Sequence, residues 1–283
     1  MNEKLLTERA ERLNKILKEK GAGFHVEYMN VYKNNVYMDA YALRKEESDA
    51  APIIYFDMEW WEKSDAQVVD FLISMNRNDY DIDTSKIITH DYISEHIKPK
   101  LLSDSYIPNL KKAERSFIHF EDMVVSFYVS LEESPEESGI ATIPVTNSLL
   151  EDVNISLLDA YAYAIKNISS CVEIIPISSL IPGNIPMSSD CPMWIVRTTD
   201  LCQGAAAILC PDTLDKISEL ISGNVALLPS SVEEFIAVSY ESESELEILK
   251  EMVTDINEMQ IPIQMKLTDN VYVLKEGKIK SVF

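Results

Sequence analysis

The chain has 283 residues, enough for one large domain or two modest ones, and 46% of them are hydrophobic and 25% charged. This composition is that of a folded globular protein and excludes a disordered, collagen-like or disulfide-scaffold chain. With 25 basic and 47 acidic side chains the formal net charge is −22. Such a charge argues against direct binding to nucleic acid or anionic lipid, and it favours a basic partner.

The negative charge is concentrated in the second half of the sequence. Residues 1–130 carry 17 basic and 23 acidic side chains, whereas residues 131–283 carry 8 and 24. No apolar run approaches the roughly 18 residues that a membrane-spanning helix needs, and the first twenty residues lack the apolar centre of a signal peptide. We therefore expect a cytoplasmic protein with no membrane partner and with reduced cysteines.

The first 76 residues predict a helix, three strands and a second helix. An apolar stripe at helical spacing indicates the first helix and consists of Leu6, Ala10, Leu13 and Leu17. Three runs rich in aromatic and β-branched residues then predict strands: FHVEYMNVY, VYMDAYALR and APIIYFDMEW. Asn34-Asn35 is the predicted hairpin tip, and Ser64 and Gln67 have the spacing of a capping box that starts the second helix.

The sequence predicts an α+β fold with mixed or antiparallel sheets, packed helices and two subdomains. We place an N-terminal subdomain at residues 1–100, a connector at 101–116 and an acidic C-terminal subdomain at 117–283. From Phe117 to Val129 the side chains alternate with a period of two, which predicts one central strand.

The rest of the second half mixes strand and helix patterns without regular βαβ alternation. Four strand-like runs are MWIVRT, GAAAILC, NVALLP and FIAVSY, and a last hairpin is expected around Glu276-Gly277. Helices are predicted at 156–167, from Pro211 onwards and at 243–259. The last of these is expected to bury Leu246, Leu249, Met252, Val253, Ile256 and Met259.

The motifs of common enzyme and cofactor sites are absent from the sequence. Neither glycine-rich phosphate loop occurs, and the G-x-S-x-G, S-x-x-K and H-E-x-x-H signatures are missing. We therefore expect no cofactor. The four cysteines, Cys171, Cys191, Cys202 and Cys210, form no C-x-x-C pair, so no zinc site is predicted and inert thiols are favoured.

Three short segments invite a functional interpretation and a plainer one. Asp79, Asp81 and Asp83 copy the start of a calcium loop, but the glycine and the closing glutamate are missing, which favours a solvated loop. Ser230 and Ser231 offer hydroxyls beside carboxylates, and a turn stabilised by serine side chains is favoured over a nucleophile. Trp60-Trp61 is either an exposed recognition patch or a core wedge.

The leading hypothesis is a non-enzymatic protein that binds another protein, and the oligomeric state is left open. Its candidate surface comprises Trp60, Trp61, Glu132, Glu133, Glu136 and Glu137, and on the last helix Glu243, Glu247, Glu251, Asp255 and Glu258. One alternative is an acidic mimic of nucleic acid that inhibits a DNA- or RNA-binding protein. A second alternative is an enzyme whose site assembles only in the fold from a carboxylate pair or a Cys-His pair.

Several short motifs, in this order, resemble an uncharacterised bacterial family, one of the numbered domains of unknown function often met among genes of mobile elements. They are VYKNNVYMDAYALR, PIIYFDMEWWEK, GAAAILCPDTLDKISELI, LPSSVEEFIAV, EMVTDINEMQ and LTDNVYVL. The likeness runs from about residue 20 to 275. It implies an intracellular α+β protein with no reaction, cofactor or catalytic residue to carry over. This chain has Glu233 where a histidine is common and Cys210 where a tyrosine is common.

Overall fold

The computed structural model describes residues 3–33, 36–45, 51–55, 62–76, 84–131, 142–179, 193–199 and 203–283. The predicted α+β class is confirmed, and every strand pairing in these ranges is antiparallel. The chain divides into two compact units, residues 1–88 and 89–283. The subdomains expected at 1–100 and 117–283, with their connector, stay a prediction.

The described helices and strands are as follows. The helices are α1 (Glu3–Glu19), α2 (Asp65–Asn76), α3 (Thr84–Ile87), α4 (His90–His96), α5 (Ile107–Lys112), α6 (Asn147–Asp152), α7 (Leu157–Ser169), α8 (Pro211–Leu220) and α9 (Glu243–Met259). Three 3₁₀ helices lie at Asp104–Tyr106, Ile177–Ser179 and Gly204–Leu209. The strands are β1 (His25–Lys33), β2 (Val36–Arg44), β3 (Ile53–Tyr55), β4 (Ile97–Ser103), β5 (Phe117–Phe120), β6 (Met123–Ser130), β7 (Thr142–Pro144), β8 (Val172–Pro176), β9 (Trp194–Thr198), β10 (Asn224–Ser231), β11 (Glu234–Tyr240), β12 (Tyr272–Lys275) and β13 (Lys278–Ser281).

The first unit packs α1 and α2 on a three-stranded sheet of order β1-β2-β3. The stripe predicted on α1 is buried, and it meets Val68, Val69 and Leu72 of α2 and the inward side chains of the sheet. The predicted capping box is present, because the Ser64 amide donates to Gln67 Oε1 and the Gln67 amide donates to Ser64 Oγ. The capping box therefore stabilises the N-terminus of α2, and burial of its apolar side chains packs α2 against the sheet.

An arginine pair fastens α1 to the start of α2. The Nε atoms of Arg9 and Arg12 donate to the two carboxylate oxygens of Asp65, at 3.0 and 2.8 Å. Burial acts to raise the pKa of the Asp65 carboxyl, but the hydrogen bonds from Arg12 and Arg9 outweigh it and leave that pKa below its ordinary value. This ionic contact stabilises the helix pair.

The described part of the second unit has two antiparallel sheets. One has six strands in the order β13-β12-β10-β11-β9-β8, and the other has the order β4-β6-β5 with β7 also paired to β6. The single strand predicted from Phe117 to Val129 is wrong. The chain turns at Glu121, whose φ is 53°, and β5 folds back on β6 as a hairpin. Ile118 and Phe120 of β5 face the same core as Met123 and Val125 of β6, so the phase of the alternation shifts by one residue at the turn.

The segment GAAAILC, predicted as a strand, forms instead a fully buried 3₁₀ helix at Gly204–Leu209. Its small side chains let the segment pass close to β9 and to the β10–β11 turn. A Cβ atom on Gly204 would lie 2.1 Å from the carbonyl oxygen of Glu233 and 3.1 Å from the amide nitrogen of Thr198. An apolar run without alternation is compatible with a strand or with a buried helix. Here the close approach of Gly204 to the backbone of Glu233 and Thr198 accompanies the helical form.

The six-stranded sheet is covered on both faces. On one face, Val225 and Leu227 pack into a hydrophobic core shared with α7, α8 and the 3₁₀ helix at Gly204–Leu209. On the other face, Ala226 and Val238 pack against α9. The predicted final hairpin is confirmed, since Glu276 and Gly277 have φ values of 51° and 70° and join β12 to β13. Among the described residues, no helix is long and apolar enough to cross a membrane.

Candidate functional site

Helix α9 has the predicted bounds, 243–259, and its start is fixed by local chemistry. Ser242 Oγ accepts a hydrogen bond from the amide of Glu245, and the Glu245 carboxylate accepts one from the amide of Glu241. Leu246 and Val253 pack on the six-stranded sheet, while Asn257 donates to the Thr268 carbonyl and to Asp269. One face of the helix therefore packs against the rest of the second unit.

The predicted carboxylates of α9 form what we call the acidic stripe: Glu243, Glu247, Glu251, Asp255 and Glu258. All five are exposed, and in the described part of the chain none forms a salt bridge. The one basic residue of the helix, Lys250, lies over the ring of Phe283 at 4.1 Å from its centre. The stripe therefore presents its carboxylates to solvent with no ion-pair partner among the described residues.

The acidic stripe opposes the stability of its own helix. Glu243, Glu247, Glu251 and Asp255 follow one another at intervals of four, and like charges at that spacing cost about 0.2–0.5 kcal/mol per pair. Asp255 and Glu258 also stand near the negative end of the helix dipole, with no basic residue in the last turn. Glu243, in the first turn, is favoured by the helix dipole, but neither helix formation nor core packing accounts for the other four carboxylates.

A row of exposed apolar side chains runs along α9, and we call it the apolar ridge: Ile248, Met252, Ile256 and Met259. Their exposed fractions are 56%, 50%, 41% and 74%. The expectation that Met252, Ile256 and Met259 are buried is therefore wrong. Leu246, Val253 and Asn257 already span the narrow arc that contacts the sheet, so apolar residues outside this arc face solvent.

The apolar ridge borders the acidic stripe. Successive residues are about 100° apart around a helix, so residues three or four apart are neighbours on its surface. Asp255 stands at these spacings from Met252 and Met259, and Glu251 stands three residues from Ile248. The solvent side of α9 is therefore a continuous surface, acidic along one edge and apolar along the other.

A second polar cluster, which the sequence did not reveal, surrounds Asp122 at the β5–β6 turn. Its carboxylate accepts hydrogen bonds from Thr268 Oγ1 at 2.6 Å, from Asn270 Nδ2 at 2.8 Å and from the hydroxyl of Tyr272. Tyr272 is fully buried, and burial followed by its bond to Asp122 raises the pKa of its hydroxyl. A buried phenol that keeps its proton is not available as a general base, and its contacts are those of a structural hydrogen bond.

Ser230 and Ser231 are the last two residues of β10, directly before the turn into β11. Ser231 Oγ accepts a hydrogen bond from the amide of Glu233 at 3.1 Å, and Ser230 Oγ donates to Glu234 at 3.3 Å. These are the contacts that the turn interpretation predicts. The group that accepts the Ser230 hydrogen bond is the carboxylate of Glu234, where a serine nucleophile usually has a histidine or lysine.

The described residues contain no activated thiol at Cys210 and no cluster that could hold a metal ion. Cys210 is buried, and its desolvation raises the pKa of its thiol to about 11, the opposite of what a reactive cysteine requires. His96 stacks on Tyr92, and its Nδ1 atom lies 2.9 Å from the Tyr92 carbonyl oxygen. Within the ranges that the structure covers, no three His, Cys, Asp or Glu side chains are grouped closely enough to hold a metal ion.

The remaining predicted residues lie outside the described ranges. They are Trp60, Trp61, Asp79, Asp81, Asp83, Glu132, Glu133, Glu136, Glu137, Cys191 and Cys202, together with the Asn34-Asn35 tip. The five carboxylates of α9 are thus the part of the predicted surface that the structure places together. Sequence reasoning missed the ridge beside them, although the spacing of its residues, at intervals of four, four and three, was a visible signal.

Residues 3–275 match a family described as "Family of unknown function (DUF5688)". No curated protein and no solved structure matches the chain. The match covers both compact units, so the predicted likeness to a domain-of-unknown-function family is confirmed over nearly the whole chain.

Proposed function

The chain belongs to DUF5688, a family of unknown function, and we propose that it is a cytoplasmic, non-enzymatic protein that binds a basic protein through α9. The observation that carries the proposal is the acidic stripe lying beside the apolar ridge. Exposed apolar patches rimmed by polar residues mark interaction sites. The carboxylates that rim this one have no partner among the described residues and oppose helix stability, so a partner that neutralises them would relieve that cost.

A protein partner fits this surface better than a nucleic acid or a small molecule. Phosphate groups are repelled by the stripe and by a net charge of −22. Methionine is enriched at protein interfaces, where its flexible side chain adapts to different partner shapes. The ridge is convex and follows one helix, whereas sites for small molecules are concave.

Mimicry of nucleic acid is a second candidate, favoured by the regular spacing of the stripe. Residues four apart on a helix are separated by about 6 Å along the axis, so Glu243, Glu247, Glu251 and Asp255 form a line of evenly spaced negative charges. Such a line would compete for a basic groove by electrostatics alone, and apolar substitutions beside it would have little effect. Mimicry does not account for the exposed apolar ridge, and we therefore rank it second.

The proposal is tested by comparing two charge-reversed variants of equal net charge. E247K/E251K alters the stripe, and D215K/E219K alters an exposed pair at the same spacing on α8. Both are used, beside the unaltered protein, to capture proteins from lysate of the native host at low salt.

The expected result is a protein that is retained by the unaltered chain and by D215K/E219K, is lost with E247K/E251K, and is released as salt rises. Retention of the same proteins by all three baits would contradict a role for the stripe. Turnover of a metabolite by the purified protein would contradict the non-enzymatic role.

A further inference from the structure

Resting on the proposed function, we infer that α9 seats a cationic amphipathic helix of the partner protein, with its apolar side on the ridge and its Lys or Arg side chains over the acidic stripe. The geometry points to this class of partner because two adjacent rows of α9 have different chemistry. One row, at intervals of four, contains Glu243, Glu247, Glu251 and Asp255, and the next contains Ile248, Met252 and Ile256.

The groove between these two rows determines which side chains fit. Helices pack by placing a ridge of one into a groove of the other, most often along rows at intervals of four. Here the groove has carboxylates along one wall and Ile or Met along the other. A lysine or arginine suits both walls, since its methylene stem packs on apolar surface while its charged head reaches a carboxylate.

The length of the ridge also suits a short helix. From Ile248 to Met259 the ridge covers eleven residue steps, or about 16 Å. A partner helix of three to four turns, with apolar anchors at intervals of three and four, spans that distance. Met252 and Met259, the two methionines of the ridge, supply flexible contact area at its middle and its end.

Electrostatic repulsion disfavours two other occupants of the ridge, a second copy of this chain and an anionic membrane. In a ridge-to-ridge antiparallel pair of two copies, the two-fold axis would place both acidic stripes on the same side of the pair. An anionic membrane would meet the stripe together with the ridge. A basic helix is the occupant for which charge and apolar contact act in the same direction.

The experiment uses a synthetic 18-residue peptide with leucines at intervals of four and three and lysines along one flank, and a scrambled peptide of the same composition. Both are titrated by calorimetry at low salt into the full-length protein and two variants. M252Q/M259Q removes apolar character from the ridge while keeping side-chain length and helix propensity. L158Q/L220Q is the matched control, because Leu158 and Leu220 are exposed apolar residues of α7 and α8.

We expect the amphipathic peptide to bind the unaltered protein more tightly than the scrambled one does. M252Q/M259Q should weaken that binding by about 10- to 100-fold, the loss expected when two methionines no longer bury apolar surface. L158Q/L220Q should change it by less than about two-fold, within the scatter of surface substitutions. E247Q/E251Q should weaken binding and flatten its salt dependence.

The possible failures separate this inference from the proposed function. Equal affinity of both peptides, or no effect of M252Q/M259Q, overturns the helix-seating inference, and loss of binding in E247Q/E251Q would then still support the stripe. No binding of either peptide counts against both proposals. Self-association of the protein that M252Q/M259Q abolishes, or flotation with anionic vesicles, would assign the ridge to one of the other occupants. Circular dichroism of each variant checks that α9 is intact.

Discussion

Tyr272 donates its phenolic hydrogen bond to the carboxylate of Asp122, a residue 150 positions earlier in the chain. The bond joins β12 of the six-stranded sheet to the β5–β6 turn of the other sheet. Glu121 extends the junction, because its carboxylate accepts a hydrogen bond from the amide of Ser281 at 3.1 Å. The C-terminal hairpin is thus attached to the rest of the second unit by side chains as well as by strand pairing.

Replacing Tyr272 with phenylalanine should destabilise the second unit by about 1.5–3 kcal/mol. The substitution keeps the buried ring but removes one donor to a charged group, and hydrogen bonds to charged groups contribute in that range. Urea unfolding followed by circular dichroism measures the change. Y240F is the control, since the Tyr240 hydroxyl has no hydrogen bond among the described residues, and a loss of equal size there would contradict a specific role for Tyr272–Asp122.

The same substitution should make stability less sensitive to alkaline pH. Burial and the bond to Asp122 raise the pKa of Tyr272 in the folded protein, so the unfolded chain loses this proton first, near pH 10. The contribution of Tyr272 is therefore complete below about pH 10 and declines above it by up to about 1.4 kcal/mol per pH unit. Unfolding free energies between about pH 9 and pH 11 should fall less steeply for Y272F than for the unaltered protein. Parallel pH profiles would contradict this linkage.

A methyl group at position 204 should be poorly tolerated. Gly204→Ala places a Cβ atom against the backbone of Glu233 and Thr198, and neither backbone atom moves without shifting β9 or the β10–β11 turn. Overpacking of this kind typically costs about 1–3 kcal/mol. Gly23→Ala is the control, because nothing lies within 4 Å of the added atom. Thermal unfolding should show a lowered midpoint for G204A and an unchanged or slightly raised one for G23A, and equal midpoints would show that the 3₁₀ helix can shift.

Two charge reversals at opposite ends of α9 should differ in stability. E258K places a positive charge at the negative end of the helix dipole, whereas E243K removes a negative charge from the positive end. The variants have the same net charge, so general repulsion cancels in the comparison. E258K should be the more stable by about 1 kcal/mol in urea unfolding. The opposite order would indicate that Glu258 has a structural role and is not retained for binding.

The sequence alone determined those elements whose signals are local. The bounds of α9, the capping box at Ser64 and Gln67, and the final hairpin at Glu276-Gly277 depend on residues a few positions apart, and the structure confirms each. The acidic stripe was predicted for the same reason, since helical spacing places its carboxylates on one side of α9 without reference to the rest of the chain.

The tertiary structure decided what depends on distant neighbours. Whether GAAAILC becomes a strand or a 3₁₀ helix depends on the backbone that approaches Gly204. Which apolar residues of α9 are buried depends on how wide an arc the six-stranded sheet covers, and that arc leaves Met252, Ile256 and Met259 in solvent. The Asp122–Tyr272 bond joins residues 150 positions apart, and no local pattern encodes such a contact because its partners meet only when both sheets have formed.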